Sequence, residues 1–240
     1  MTPAGGAEPG GERKGASVET RRRVGEMAAE AIAAGDPVGW FERLYAAAGG
    51  ELDQIPWADL EPNPLLEPWL RARQVRGAGR RALVVGAGLG DDAELLAAQG
   101  FATVGFDVSP TAVEWARERN RGSGVEYVVA DLLALPGAWR RRFDLVVEAY
   151  TLQALPPGET RASAARALAT PVAPGGSLLV IERLRDDDAP VQGIPWPLAR
   201  GELRPVEEAG LDLVSFEDVP DTADPPKRWL RATYMRPHEP

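Results

Sequence analysis

The chain has 240 residues, 44% of them hydrophobic, which is enough apolar material for one buried core in a single domain with appended pieces. It contains no cysteine and a single histidine, His238, so disulfides, thiolate metal sites, a histidine zinc site and a Ser-His-Asp triad are all set aside. The formal net charge of -9 speaks against a nucleic-acid partner, because the arginine-rich pieces (Arg21 to Arg23, Arg71 to Arg81, Arg140 to Arg142) are separated by acidic sequence. No apolar run of about 20 residues is present, nor is there a secretory-type apolar stretch at the start, so no membrane partner and a cytoplasmic location are expected.

In chain order, residues 1–17 are Gly, Pro and charge with little to bury, and a disordered tail is predicted there. Val18 to Ala34 reads as a helix, with Val24, Met27, Ala28 and Ile32 on one stripe and Gly35 as the stop. A segment dense in aromatics and prolines follows, from Trp40 through Trp57 to Trp69, and it predicts short helices and turns that form a cap. From Arg81 the pattern alternates. Strands are predicted at Ala82–Val85, Thr103–Phe106, Val125–Val129, Phe143–Glu148 and Ser177–Glu182, with helices at Asp92–Gln99, Pro110–Asn120 and Thr160–Thr170. Apolar strands spaced by helices imply a parallel sheet covered on both faces. Leu211–Val219 and Trp229–Met235 lack a crossover helix between them and should pair antiparallel.

The strongest local signal is Leu83-Val84-Val85-Gly86-Ala87-Gly88-Leu89-Gly90-Asp91-Asp92, a strand that turns through Gly86, Gly88 and Gly90 into a helix. Glycines there let the backbone turn sharply and let a ligand approach closely. Where a dinucleotide-binding loop would carry its third glycine, this loop carries Asp91, with Asp92 behind it, and two carboxylates would repel a pyrophosphate. They suit a ligand bearing an ammonium and a sulfonium, which describes S-adenosylmethionine; helix capping is the competing role. Asp107 lies 107 - 86 = 21 positions after Gly86, near the roughly 20 expected of a ribose ligand, although it would also suit the cap of the helix at Pro110. Asp131 ends the third strand and is placed to accept from an adenine amine.

With these motifs in order, the sequence resembles the class I S-adenosylmethionine-dependent methyltransferases over Leu65 to Tyr234, including Ala130-Asp131, Phe143 to Glu148 and the Pro174-Gly175-Gly176 turn. The resemblance implies a Rossmann-like α/β fold: a seven-stranded, mostly parallel sheet with a C-terminal antiparallel strand, helices on both faces and an N-terminal helical cap. It divides the chain into a cap segment, 18–70, and a methyltransferase α/β domain, 71–240. Val84 replaces the acidic residue that most members carry two positions before the first glycine. The thiopurine and thiocyanate or thiol methyltransferase-like subgroup shares that departure, an aspartate at the place of Asp92, and a segment like Ile55-Pro56-Trp57-Ala58-Asp59 followed by Pro62-Asn63-Pro64. That similarity implies that Trp57 packs against the methionine end of the cofactor, and Val108, Leu132 and Glu148 complete the expected cofactor contacts.

Methyl transfer from a sulfonium needs chiefly positioning in a dry pocket, which supplies about 7 to 11 kcal/mol. Glu148 and Tyr150, after the fourth strand, are the expected catalytic residues that orient a small-molecule acceptor; the competing reading is that they only finish the strand. The scarcity of histidine favours a thiol or other soft acceptor, with Glu148, Tyr150 or Asp59 as the base that an alcohol or amine acceptor would need. O- or N-methylation of a specialised metabolite is the alternative, and Gly193-Ile194-Pro195-Trp196-Pro197 falls where an acceptor lid would lie. The rivals from other classes are a Rossmann oxidoreductase and a non-catalytic S-adenosylmethionine binder. Periodicity leaves the oligomeric state open.

Overall fold

The computed structural model describes residues 17–191, 193–221 and 226–238. Residues 1–16 of the expected tail lie outside this range; Ser17, its last residue, caps the first helix by accepting from the Thr20 N–H at 3.0 Å. That helix, α1 (Val18–Ala33), buries Thr20, Val24, Ala28 and Ala31, a stripe at helical spacing. Helix α2 (Gly39–Ala48) starts where Asp36 Oδ1 accepts from the Gly39 N–H at 2.8 Å, and it buries Trp40, Leu44, Tyr45 and Ala48. A single turn at Leu52–Gln54 leads to α3 (Leu66–Ala72).

Strand and helix then alternate: β1 (Arg81–Val85), α4 (Asp91–Ala98), β2 (Ala102–Asp107), α5 (Pro110–Arg119), β3 (Glu126–Val129), β4 (Phe143–Ala149), α6 (Glu159–Ala169), β5 (Val172–Arg183), α7 (Arg204–Glu208), β6 (Asp212–Pro220) and β7 (Arg228–Met235). The seven strands form one sheet in the order β3-β2-β1-β4-β5-β7-β6. Pairing is parallel from β3 through β5 and antiparallel for β5 with β7 and β7 with β6. This is the expected mostly parallel sheet with an antiparallel C-terminal hairpin.

Alternate residues of the central strands feed two cores. Leu83, Val85, Val146, Leu178 and Val180 pack with α6 and α7, whereas Ala82, Val84, Val147, Leu179 and Ile181 pack with α3, α4 and α5. The expected cap segment, 18–70, ends inside α3, whose Leu66, Trp69 and Leu70 lie under the sheet and whose Trp69 Nε1 donates to Thr233 Oγ1 at 3.0 Å. A third core joins α1 and α2 to Ile55, to Leu89 of the glycine loop and to Ala112 of α5. The cap therefore sits on the edge where the parallel strands end. Because β7 runs antiparallel, Trp229 at its start pairs with Arg183 at the end of β5 and reaches that same edge. No helix among the described residues is long and apolar enough to cross a membrane.

Candidate active site

The carboxyl ends of β1, β2, β3 and β4 and the cap enclose a cavity of about 460 Å³. This is the crevice where open α/β sheets receive ligands. Gly86 turns the chain out of β1 at φ +61, and a Cβ there would stand 2.3 Å from Thr151 Oγ1. Gly90 precedes α4 at φ +94, and a Cβ there would stand 2.2 Å from Tyr127 Oη. Both positions require glycine for backbone conformation and for space.

Asp107 is buried, and both of its oxygens are engaged: Oδ2 accepts from the Gly88 N–H and Oδ1 from the Ser109 N–H, each at 3.0 Å. The carboxylate thus fixes the glycine loop to the end of β2. Burial pushes its pKa up, against the lowering effect of the backbone N–H bonds. Asp92 Oδ1 accepts from the Asn63 N–H at 2.6 Å, tying the cap to the start of α4, while Asp91 pairs with Arg119 at 2.7 Å. Asp131 accepts from the Leu133 N–H at 2.8 Å.

The cap supplies an aromatic wall. Trp57 Nε1 donates to Tyr45 Oη at 2.8 Å, and the Trp57 ring meets Trp40, Phe41 and Tyr45 edge-on at 6.0, 6.1 and 6.2 Å. Burial and, second, the nearby Asp107 charge push the Tyr45 phenol far up, so it stays protonated. Glu42 of α2 holds the wall in place: it accepts from Ser109 Oγ at 2.6 Å and from the Thr111 N–H and Oγ1 at 3.1 and 2.7 Å. Burial raises the Glu42 carboxyl, but the bonds from Ser109 and Thr111 outweigh it and leave it below its ordinary value.

The structure brings Trp57, Gly86, Gly88, Asp92, Asp107, Val108, Asp131, Leu132 and Tyr150 to the cavity lining. Gly90 shapes the loop from behind. Glu148 is not among the lining residues: it is fully buried beneath them, with Oε1 accepting from the Thr151 and Leu152 N–H groups at 2.7 and 3.1 Å. It shares a hydrogen bond with Glu182, also fully buried, whose Oε1 accepts from the Gln153 N–H at 3.2 Å. Burial pushes both carboxyls up, Glu182 the further because the Glu148 charge adds to it. Tyr150 lies on the wall at φ +67, a left-handed conformation costly for a tyrosine, with its ring 5.2 Å from that of Trp229. Sequence reasoning missed Glu42, Glu182, Gln153, Arg183 and Trp229. Of these only Glu182 had a local signal, a carboxylate closing the apolar run Ser177 to Ile181.

Residues 82–176 match the family described as "Methyltransferase domain". Methyltransferase GfsG of Streptomyces halstedii is 33% identical over 166 residues, which cover 62% of this chain and 58% of that protein, so the chain spans little more than half the length of this relative. A 2-heptyl-1-hydroxyquinolin-4(1H)-one methyltransferase of Mycobacteroides abscessus is 27% identical over 171 residues, 69% of this chain and 73% of that protein. Among solved structures, the N-methyltransferase NodS of Bradyrhizobium japonicum, in complex with S-adenosyl-L-homocysteine, superposes with a TM-score of 0.60 at 24% identity, covering 81% of this chain and 99% of that one. Residues 82–176 are thus similar to a methyltransferase domain, and the chain shares the fold of the solved N-methyltransferase NodS.

Proposed function

We propose that the protein transfers a methyl group from S-adenosylmethionine to a small molecule held between the glycine loop and the cap. The observation that carries this reading is the carboxylate set of the cavity, Asp91, Asp92, Asp107 and Asp131, gathered around a glycine loop that carries Asp91 where a dinucleotide-binding loop has its third glycine. The residues fit the cofactor's chemistry. Gly86 and Gly88 leave the backbone open to close approach, Asp107 has lone pairs left for ribose hydroxyls beyond the two N–H groups it accepts, and Asp92 offers charge to an ammonium. Asp131, with Val108 and Leu132, would frame an adenine, and Trp57 would pack on the methionine end. S-adenosylmethionine would supply an electrophilic methyl group: an acceptor lone pair bonds to the methyl carbon in line as the C–S bond breaks, and its electron pair stays on sulfur to leave a neutral thioether.

The chain's own part is positioning and exclusion of water. Tyr150 is the wall residue that orients the acceptor. We assign Glu148, whose contacts hold Thr151 and Leu152, a positioning role beneath that wall. For the acceptor atom, similarity to proteins named as an O-methyltransferase and an N-methyltransferase supports oxygen or nitrogen, whereas the thiol alternative rests on Trp57 and Asp92 alone. Incubation with S-adenosylmethionine labelled at the methyl group and pools of acidic, neutral and basic small metabolites should give a labelled product and S-adenosylhomocysteine. Tight cofactor binding without turnover in any pool would favour a non-catalytic binder.

A further inference from the structure

The cavity lining divides by charge along the strand order. Its carboxylates follow β1, β2 and β3 or come from the cap, as Asp59 and Glu61 do. Among the described residues, the half built by the ends of β4, β5 and β7 contributes none, and carries Tyr150, Arg183, Lys227 and Trp229 instead. Here the Tyr150 and Trp229 rings lie 5.2 Å apart, and the Arg183 guanidinium sits 5.7 Å from the Trp229 centroid.

The neighbouring arginines are neutralised. Arg185 pairs with Glu202 at 2.9 Å, Arg228 with Asp218 at 2.7 Å, and Arg231 with Glu217 at 2.5 Å. Arg183 is half-buried at the cavity wall, and no carboxylate pairs with it among the described residues. A partly desolvated cation without a counter-ion is a cost that a bound anion removes. Resting on the methyl-transfer reading, we propose that the acceptor is a planar aromatic bound as an anion, its ring against Trp229 and Tyr150 and its charge toward Arg183 and Lys227. An acceptor bound in ionised form has no proton to surrender, which suits a half-cavity whose described lining holds neither histidine nor carboxylate. The two cations also lower the pKa of an acidic hydroxyl and so favour its ionised form.

The test is binding of an isosteric pair, 2-naphthoate and 2-naphthamide, followed by calorimetry on the protein saturated with S-adenosylhomocysteine. Naphthoate is expected to bind about tenfold tighter, as a charge-assisted contact gives. Arg183→Gln should abolish that preference while leaving naphthamide and S-adenosylhomocysteine affinities within about twofold, and Lys227→Gln, at an exposed position, should reduce it about threefold. Equal binding of the pair, no binding of either, or a preference that survives Arg183→Gln combined with Lys227→Gln would overturn the proposal. If S-adenosylhomocysteine itself fails to bind, the methyl-transfer reading falls, and the same titrations on the unloaded protein still decide whether this half of the cavity selects anions.

Discussion

Replacing Glu182 with glutamine should change how stability depends on pH. Glu148 and Glu182 are both fully buried and interact with each other, and neither Oε2 meets a backbone N–H or another donor among the described residues. Two carboxylates in that position cannot both ionise, so the folded pair keeps a proton that the unfolded chain loses near the ordinary glutamate value of 4.5. Because the folded pKa is raised, the stabilisation is complete below the unfolded value and is lost as pH rises through the folded one. One retained proton corresponds to about 1.4 kcal/mol per pH unit over that window. In a chain of this size that is about 3 to 6 °C in Tm per pH unit. In Glu182→Gln the amide oxygen still accepts from the Gln153 N–H, and its NH2 donates to Glu148 without titrating. Thermal unfolding followed by circular dichroism from pH 5 to pH 8 should show the variant gaining on the native protein as pH rises. Parallel curves across the range would refute the shared proton.

Glu42→Ala removes three bonds to Ser109 and Thr111 and should cost about 2 to 3 kcal/mol, read by urea denaturation, with faster proteolysis of the cap. In the native protein the Glu42 contribution should be lost only as pH falls through its lowered pKa, which a titration below pH 4.5 would show. Gly86→Ala places a Cβ against Thr151 Oγ1 at positive φ, so cofactor affinity should fall at least tenfold by calorimetry, with about 1 to 2 kcal/mol lost in stability. Trp57→Phe keeps the ring but loses the bond to Tyr45 Oη and should cost about 1 kcal/mol, whereas Trp57→Ala should raise the KM for S-adenosylmethionine severalfold.

The alternating half of the chain was legible because strands buried on both faces and amphipathic helices leave local periodic signals. The predicted Thr103–Phe106 became Ala102–Asp107, and Asp92–Gln99 became Asp91–Ala98. The fifth strand was read short, from Ser177, since Pro174-Gly175-Gly176 signals a turn; in the structure β5 begins at Val172, which pairs with Phe143, and a register shift absorbs the glycines. In the cap, short helices were legible but the bounds of α2 were not, because Trp40, Phe41 and Tyr45 are indifferent helix formers and its stability comes from packing on α1 and from the Glu42 clasp, 67 residues away at Ser109. The carboxylates of the loop half were readable from spacing after strands. Lys227 and Trp229 were not, since only the antiparallel return of β7 carries them to the edge where Arg183 ends β5 and Tyr150 follows β4, and Arg183 gained its meaning only from that neighbourhood.

The central claim is that the acidic crevice holds S-adenosylmethionine, and calorimetric titration of the purified protein with S-adenosylmethionine and with NADH tests it most directly. Micromolar binding of S-adenosylmethionine alone is expected, weakened at least tenfold by Asp107→Ala in a variant whose circular dichroism shows it folded. Absence of binding by the folded native protein, or equal binding of NADH, would contradict it.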